Sequence, residues 1–181
     1  AIDTTTTFLG YQIAMPVLIS SMTGGSDQSY RVNKDLAQAA QRAGVPVGMG
    51  SIRILFRKPE VIDDFRLKRL APDVPVLGNI GGVQLTELSH DALADLLREL
   101  EVDAVAVHLN PGQELFQPEG DRDFTGILEA IRRFCDVSPV PVVVKETGFG
   151  IGPEEVRALF EAGAAYVNIA GSGGTNWITV E

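Results

Sequence analysis

VDAVAVHLNPGQE, residues 102–114, changes character at its middle. An apolar run rich in valine and alanine gives way to His108, Asn110, Gln113 and Glu114 within seven positions. A run that is apolar throughout, and does not alternate, is the pattern of a strand buried on both faces of a parallel sheet. Polar side chains placed where such a strand ends stand where α/β proteins hold ligands.

The same pattern recurs along the chain. PVLISS (16–21), VPVGMG (45–50), VPVLGN (74–79), AVAVHLN (104–110), PVVVKE (141–146) and YVNIAG (166–171) are predicted strands, spaced roughly 30 residues apart. Between them, NKDLAQAAQRAG (33–44), SHDALADLLRELE (89–101), FTGILEAIRRFC (124–135) and GPEEVRALFEAG (152–163) have helical spacing. Ser89 suits an N-cap, Pro153 a first turn, and Gly44 and Gly163 helix ends. EVIDDFRLKRLA (60–71) is a further short helix, bounded by Pro59 and Pro72.

Strand alternating with helix means βα units. The first strand is followed by MTGGS and not by GxGxxG, so the doubly wound nucleotide-fold fingerprint is absent. Polar or glycine-rich sequence follows every strand: SSMTGG (20–25), GSIR (50–53), GNIGG (78–82), HLNPGQE (108–114), KETGFG (145–150) and GSGGTNW (171–177). A site assembled from many strand ends is that of a (β/α)₈ TIM barrel. Such a barrel needs eight strands and about 250 residues; with 181 residues and about six βα units, the chain reads as one incomplete barrel domain. It would lack an N-terminal segment and the last βα units.

Composition narrows the function classes. Net charge is −9, with 24 acidic and 15 basic residues, which argues against nucleic acid as a partner. It leaves room for a small phosphorylated ligand near Arg53, Arg57 and Lys58. No apolar run reaches the roughly 18 residues of a membrane span. The single cysteine, Cys135, is expected to pack inside a helix. It allows neither an internal disulfide nor a cysteine zinc cage, and this suits a reducing cytoplasm.

The strand-end residues comprise the carboxylates Glu114 and Glu146, the cations Arg53 and Lys145, the amides Asn79, Asn110 and Gln113, and His108. With two histidines in all, a histidine-based metal site is excluded and a Ser-His-Asp triad would have to use His108. One carboxylate with water and phosphate oxygens is a normal Mg²⁺ site. Lys145 has two readings: a Schiff-base nucleophile, or a permanent cation stabilising negative charge on a flat heteroaromatic cofactor such as a flavin. Spacing leaves both open.

MTGG (22–25), GSIR (50–53), NIG (79–81), HLNPGQE, VKETGFG (144–150) and AGSGGTNW (170–177) resemble, in order and spacing, the type 2 isopentenyl-diphosphate isomerases, which are FMN-dependent (β/α)₈ barrels. The resemblance runs from about Phe8 to Trp177. It implies interconversion of isopentenyl and dimethylallyl diphosphate without net redox change, with FMN, Mg²⁺ and NAD(P)H as reductant. Carried over by motif, Ser21, Met22, Thr23, Ser51, Asn79, Lys145 and Thr175 bind the flavin. Ser51, Ile52, Arg53, His108, Asn110, Gln113 and Trp177 bind substrate, and Glu114 holds the metal. Gln113, Lys145 and His108 are the catalytic candidates. Ile52 stands where many members have Gln, which removes a polar contact near the diphosphate. The resemblance further implies a homo-oligomer, a tetramer or octamer. Three rival readings remain: an FMN barrel oxidising a 2-hydroxy acid, a Schiff-base aldolase using Lys145, and a non-catalytic scaffold. The first wants a histidine late in the barrel, and none follows His108.

Overall fold

The computed structural model describes residues 2–181. It opens on a hairpin that the sequence reading missed, β1 (Thr6–Phe8) with β2 (Tyr11–Ile13), antiparallel. Its turn residues Leu9 and Gly10 both have positive φ, 50° and 80°. Leucine is not a residue that advertises such a turn. The first predicted strand, 16–21, is reduced to one bridge, Ile19 with Val47. Pro16 removes one ladder donor, and Met15, Pro16 and Val17 are exposed instead of buried on two faces.

Helix α1 (Asp27–Ala43) starts six residues before its predicted start. Ser26 caps it by accepting from the Ser29 amide, and Gly44, at φ 66°, ends it as expected. Strand β3 (Val47–Gly48) follows. Residues 60–71 then depart from the expected helix: 3-10 turns occupy Pro59–Asp64 and Leu67–Arg69. Beyond them come β4 (Val76–Gly81), α2 (Gly82–Glu87), α3 (His90–Leu100) and β5 (Ala104–His108). The chain continues through α4 (Pro111–Phe116), α5 (Ile127–Val137), β6 (Val142–Lys145), α6 (Pro153–Glu161), β7 (Tyr166–Asn168) and α7 (Trp177–Val180).

Strands β3 to β7 form a five-stranded sheet whose order follows the chain. The β3–β4 and β6–β7 pairs are parallel. The order has no reversal, so the doubly wound alternative falls. Strands β4 and β6 are buried throughout, as their unbroken apolar sequence requires, whereas β7 exposes Tyr166 and Asn168.

Two compact units divide the chain, one running to Asn79 with Asp95–Val105, the other comprising Ile80–Ala94 with Ala106–Glu181. In the first, Asp103 accepts from Lys68 Nζ at 2.7 Å, the Val76 amide at 2.8 Å and the Tyr11 hydroxyl at 2.7 Å. Lys68 also lies 4.6 Å from the centre of the Tyr11 ring. Burial alone would push the Lys68 pKa down, but its bonds to Asp103 and Tyr11 outweigh that and hold it up. Deleting Asp103 would take the counter-charge from a part-buried ammonium and leave it only the Tyr11 hydroxyl and the Val74 carbonyl oxygen, at about 2–4 kcal/mol. In the second unit, α5 buries Ala130, Ile131 and Phe134 as one stripe. His90 belongs to this packing: its Nε2 lies 3.0 Å from the Leu85 carbonyl oxygen and its ring is edge-on to Phe134.

Cys135 is half-buried and burial pushes its thiol pKa up, in keeping with a packed and unreactive side chain. Among the described residues no helix is long and apolar enough to cross a membrane.

Candidate functional site

In the second unit, the motif that opened the sequence reading folds as a strand end followed at once by a short helix. Pro111 occupies the first turn of α4, where its missing N–H costs nothing. Asn110, Gln113 and Glu114 are then spaced i, i+3, i+4 and share one helix face. Asn110 Nδ2 donates to Glu114 Oε1 at 2.8 Å and lies 3.4 Å from Gln113 Oε1. Glu114 Oε2 accepts from the Asp121 amide at 2.9 Å. Each carboxylate oxygen therefore has one donor and keeps a lone pair for a further partner. Arg122 donates to the backbone carbonyls of Glu114 and Gln117 and ties the following loop to α4. Gln113 Nε2 donates to the Glu181 carboxylate at 2.9 Å. His108 ends β5 half-buried. Its ring lies so close to Gly81 that a Cβ there would sit 3.1 Å from Nε2.

Lys145 ends β6, and the Leu109 amide donates to its carbonyl oxygen at 2.7 Å. His108 and Lys145 thus stand at the same, carboxyl, end of their strands, and α4 follows directly from the first. Lys145 is 8% exposed. Among the described residues its ammonium has one acceptor, the Glu146 carbonyl oxygen, at a long 3.5 Å. Burial pushes its pKa down, and the Glu146 carboxylate partly offsets this. A buried ammonium with so little compensation is a group held ready for an anionic partner. Glu146, which sequence reading left without a role, is 5% exposed and accepts three backbone N–H groups. Asp121, whose amide holds Glu114, was also missed, because nothing marks a loop residue seven positions away. Thr175 is exposed and Trp177 half-buried at the start of α7.

In the first unit, SSMTGG and GMGSIR meet backbone to backbone. A Cβ on Gly50 would fall 1.6 Å from the Thr23 carbonyl oxygen, and one on Gly48 2.4 Å from Ser21 Oγ. Only glycine permits that approach. Thr23 is held from behind: its hydroxyl donates to Ser29 Oγ at 2.6 Å, and buried Asn33 donates to its carbonyl oxygen at 2.9 Å. Met22 and Arg53 are exposed, Ser21 and Ser51 half-buried, and Asn79 is buried on β4. Ile52 departs from expectation. It is fully buried in a 3-10 turn and presents no surface to a substrate. An apolar side chain at that point of the turn joins the core instead of the surface.

Among the described residues no group of three or more His, Cys, Asp or Glu side chains could hold a metal ion. A single carboxylate with free lone pairs still fits Mg²⁺, which keeps its waters and takes phosphate oxygens. The Lys145 ammonium likewise fits the negative charge of a reduced flavin.

No family model matches the chain. The isopentenyl-diphosphate delta-isomerase of Borrelia garinii subsp. bavariensis is 51% identical over 172 residues, covering 95% of this chain and 49% of that protein. The enzyme of the same name from Rickettsia prowazekii is 45% identical over 182 residues, covering 100% of this chain and 53% of its own length. The chain is similar to isopentenyl-diphosphate delta-isomerases throughout. It spans about half the length of the curated relatives it matches. Among solved structures, a soluble mutant of (S)-mandelate dehydrogenase from Pseudomonas putida superposes with TM-score 0.62 at 17% identity, covering 91% of this chain and 53% of that one. A mandelate oxidase mutant carrying an FMN adduct gives 0.61 at 16%, covering 98% and 56%. At such identities the likeness is one of fold.

Proposed function

We propose that the chain is part of a type 2 isopentenyl-diphosphate delta-isomerase, an FMN- and Mg²⁺-dependent enzyme on a (β/α)₈ barrel. The single observation that carries the reading is the pairing of an under-compensated buried Lys145 with the Asn110–Gln113–Glu114 face at neighbouring strand ends. The isomerase names of relatives at 45–51% identity support the reaction, and the FMN in a fold neighbour supports the cofactor.

Moving a double bond by one carbon adds a proton at one end of a three-carbon unit and removes another from its other end. Amides are very poor acids and bases, so Asn110 and Gln113 orient and do not themselves exchange the protons. Reduced FMN would supply the acid–base chemistry, and Mg²⁺ would neutralise diphosphate charge. Lys145 holds a positive charge where negative charge must be stabilised. Glu114 holds the metal and Asn110 fixes the angle of its carboxylate. His108 and Arg53 grip diphosphate oxygens, Trp177 borders the alkene, and Gln113 orients it. Ser21, Met22, Thr23, Ser51, Asn79 and Thr175 supply flavin contacts. Reduction by NAD(P)H and association into tetramers or octamers belong to the same reading.

The experiment is isomerase turnover of isopentenyl diphosphate with FMN, a reductant and Mg²⁺, each omitted in turn. Activity requiring all three supports the reading. Activity indifferent to FMN, or a borohydride-trapped substrate adduct on Lys145, would overturn it, the latter in favour of an aldolase.

A further inference from the structure

The loop after β6 is built around one carboxylate. Glu146 Oε2 accepts the backbone N–H groups of Thr147, Gly148 and Phe149 at 2.6, 2.7 and 2.6 Å. Three donors converging on one buried oxygen form a nest, and Gly148, at φ 132°, supplies backbone freedom that the curl uses. The curled loop places the Phe149 ring against α4: a Cβ on Gly112 would lie 3.6 Å from Phe149 Cδ2. Gly112 immediately precedes Gln113 and Glu114. On its other side, Glu146 adjoins Lys145, whose ammonium reaches its carbonyl oxygen.

We infer that Glu146 is the positioning residue of this site, fixing the Thr147–Phe149 loop against the turn that carries Gln113 and Glu114 and setting its carboxylate beside Lys145. The inference deepens the isomerase reading by giving its two halves in this unit one common support. The titratable groups that share these strand ends are His108 on β5 and Glu114 on α4, while β7 offers neutral Asn168, in register with Lys145. Burial pushes Lys145 down and only Glu146 pushes it back up. Loss of the Glu146 charge therefore lowers the Lys145 titration midpoint, and loss of the whole side chain also frees three amides.

The experiment reads Lys145 and the loop directly, without substrate or cofactor, so it can fail while the isomerase reading stands. The protein is reductively methylated with ¹³C, the Lys145 signal is identified by its absence in Lys145→Met, and its pH titration is followed by NMR. Glu146→Gln keeps the shape and one acceptor oxygen; Glu146→Ala removes both. Expected are a Lys145 midpoint lower by about half a unit or more in Glu146→Gln, and hydrogen exchange of the 147–149 amides faster by about tenfold or more in Glu146→Ala. If Glu146→Ala does not fold, exchange is read in Glu146→Gln, where a smaller but measurable acceleration is expected. A Lys145 midpoint unmoved in Glu146→Gln, or amides as protected as in the parent, overturns the inference.

Discussion

Asn110 Nδ2 donates to Glu114 Oε1 across 2.8 Å, one helical turn away on α4. The bond leaves the Glu114 carboxylate with a defined orientation and a free lone pair on each oxygen. Asn110→Ala should therefore weaken divalent-metal binding by about 10- to 100-fold while leaving the fold intact, as loss of a ligand-orienting group does. Mn²⁺ titration followed by EPR, in the presence of inorganic diphosphate, checks this. Unchanged affinity would mean that the carboxylate is held elsewhere.

Gln113 shares that face and, on the proposed reading, orients the alkene. Gln113→Ala should lower kcat by about 100-fold or more while changing inhibition by inorganic diphosphate by less than about threefold. Steady-state kinetics with isopentenyl diphosphate give both numbers. Equal losses would make Gln113 a binding residue only.

Lys145 is expected to cost stability. Burial depresses its pKa below the ordinary lysine value of 10.5, so between the two values the unfolded chain binds more protons than the folded one. Stability then rises with pH across that window. Below it, the penalty for burying the charge is fully present. Lys145→Met should stabilise the cofactor-free protein at pH 7 by roughly 1–3 kcal/mol, with the gain shrinking as pH approaches 10.5. Urea unfolding at pH 7 and pH 10 tests the sign. A destabilised variant at pH 7 would show that the ammonium is better compensated than the long bond to the Glu146 carbonyl oxygen indicates.

Gly50 is where two loops of the first unit touch. An added methyl group meets the Thr23 carbonyl oxygen, which is backbone and cannot rotate away. Gly50→Ala should destabilise by about 1–3 kcal/mol through overpacking. Gly10→Ala is the contrast: nothing lies within 4 Å of its Cβ, and its cost is that of a positive φ alone. Thermal unfolding of the pair separates close approach from backbone strain, and equal losses would refute the steric account.

Much of the architecture could be read from residues 102–114 outward. Unbroken apolar runs announce strands buried on two faces, and β4, β5 and β6 lie where those runs are. Local chemistry also places Gly44, Ser89 and Pro153, because capping depends on neighbours in sequence. The expected strand at 16–21 and helix at 60–71 failed for the same kind of reason. Pro16 opens the first segment and Pro59 and Pro72 bound the second; such short stretches have little preference of their own, and packing partners decide what they become. The β1–β2 turn carries a leucine at positive φ, which only its surroundings can enforce.

By itself, then, the sequence marked the candidates, since His108, Asn110, Gln113, Glu114 and Lys145 stand out by type and by position after apolar runs. Tertiary structure alone decided how they are held. The Glu146 nest, the Asp121 amide on Glu114 and the burial of Ile52 each join residues whose proximity follows from how the backbone curls and packs. Hydrogen bonding and desolvation act through distances in space, and those distances are not written in the order of the residues.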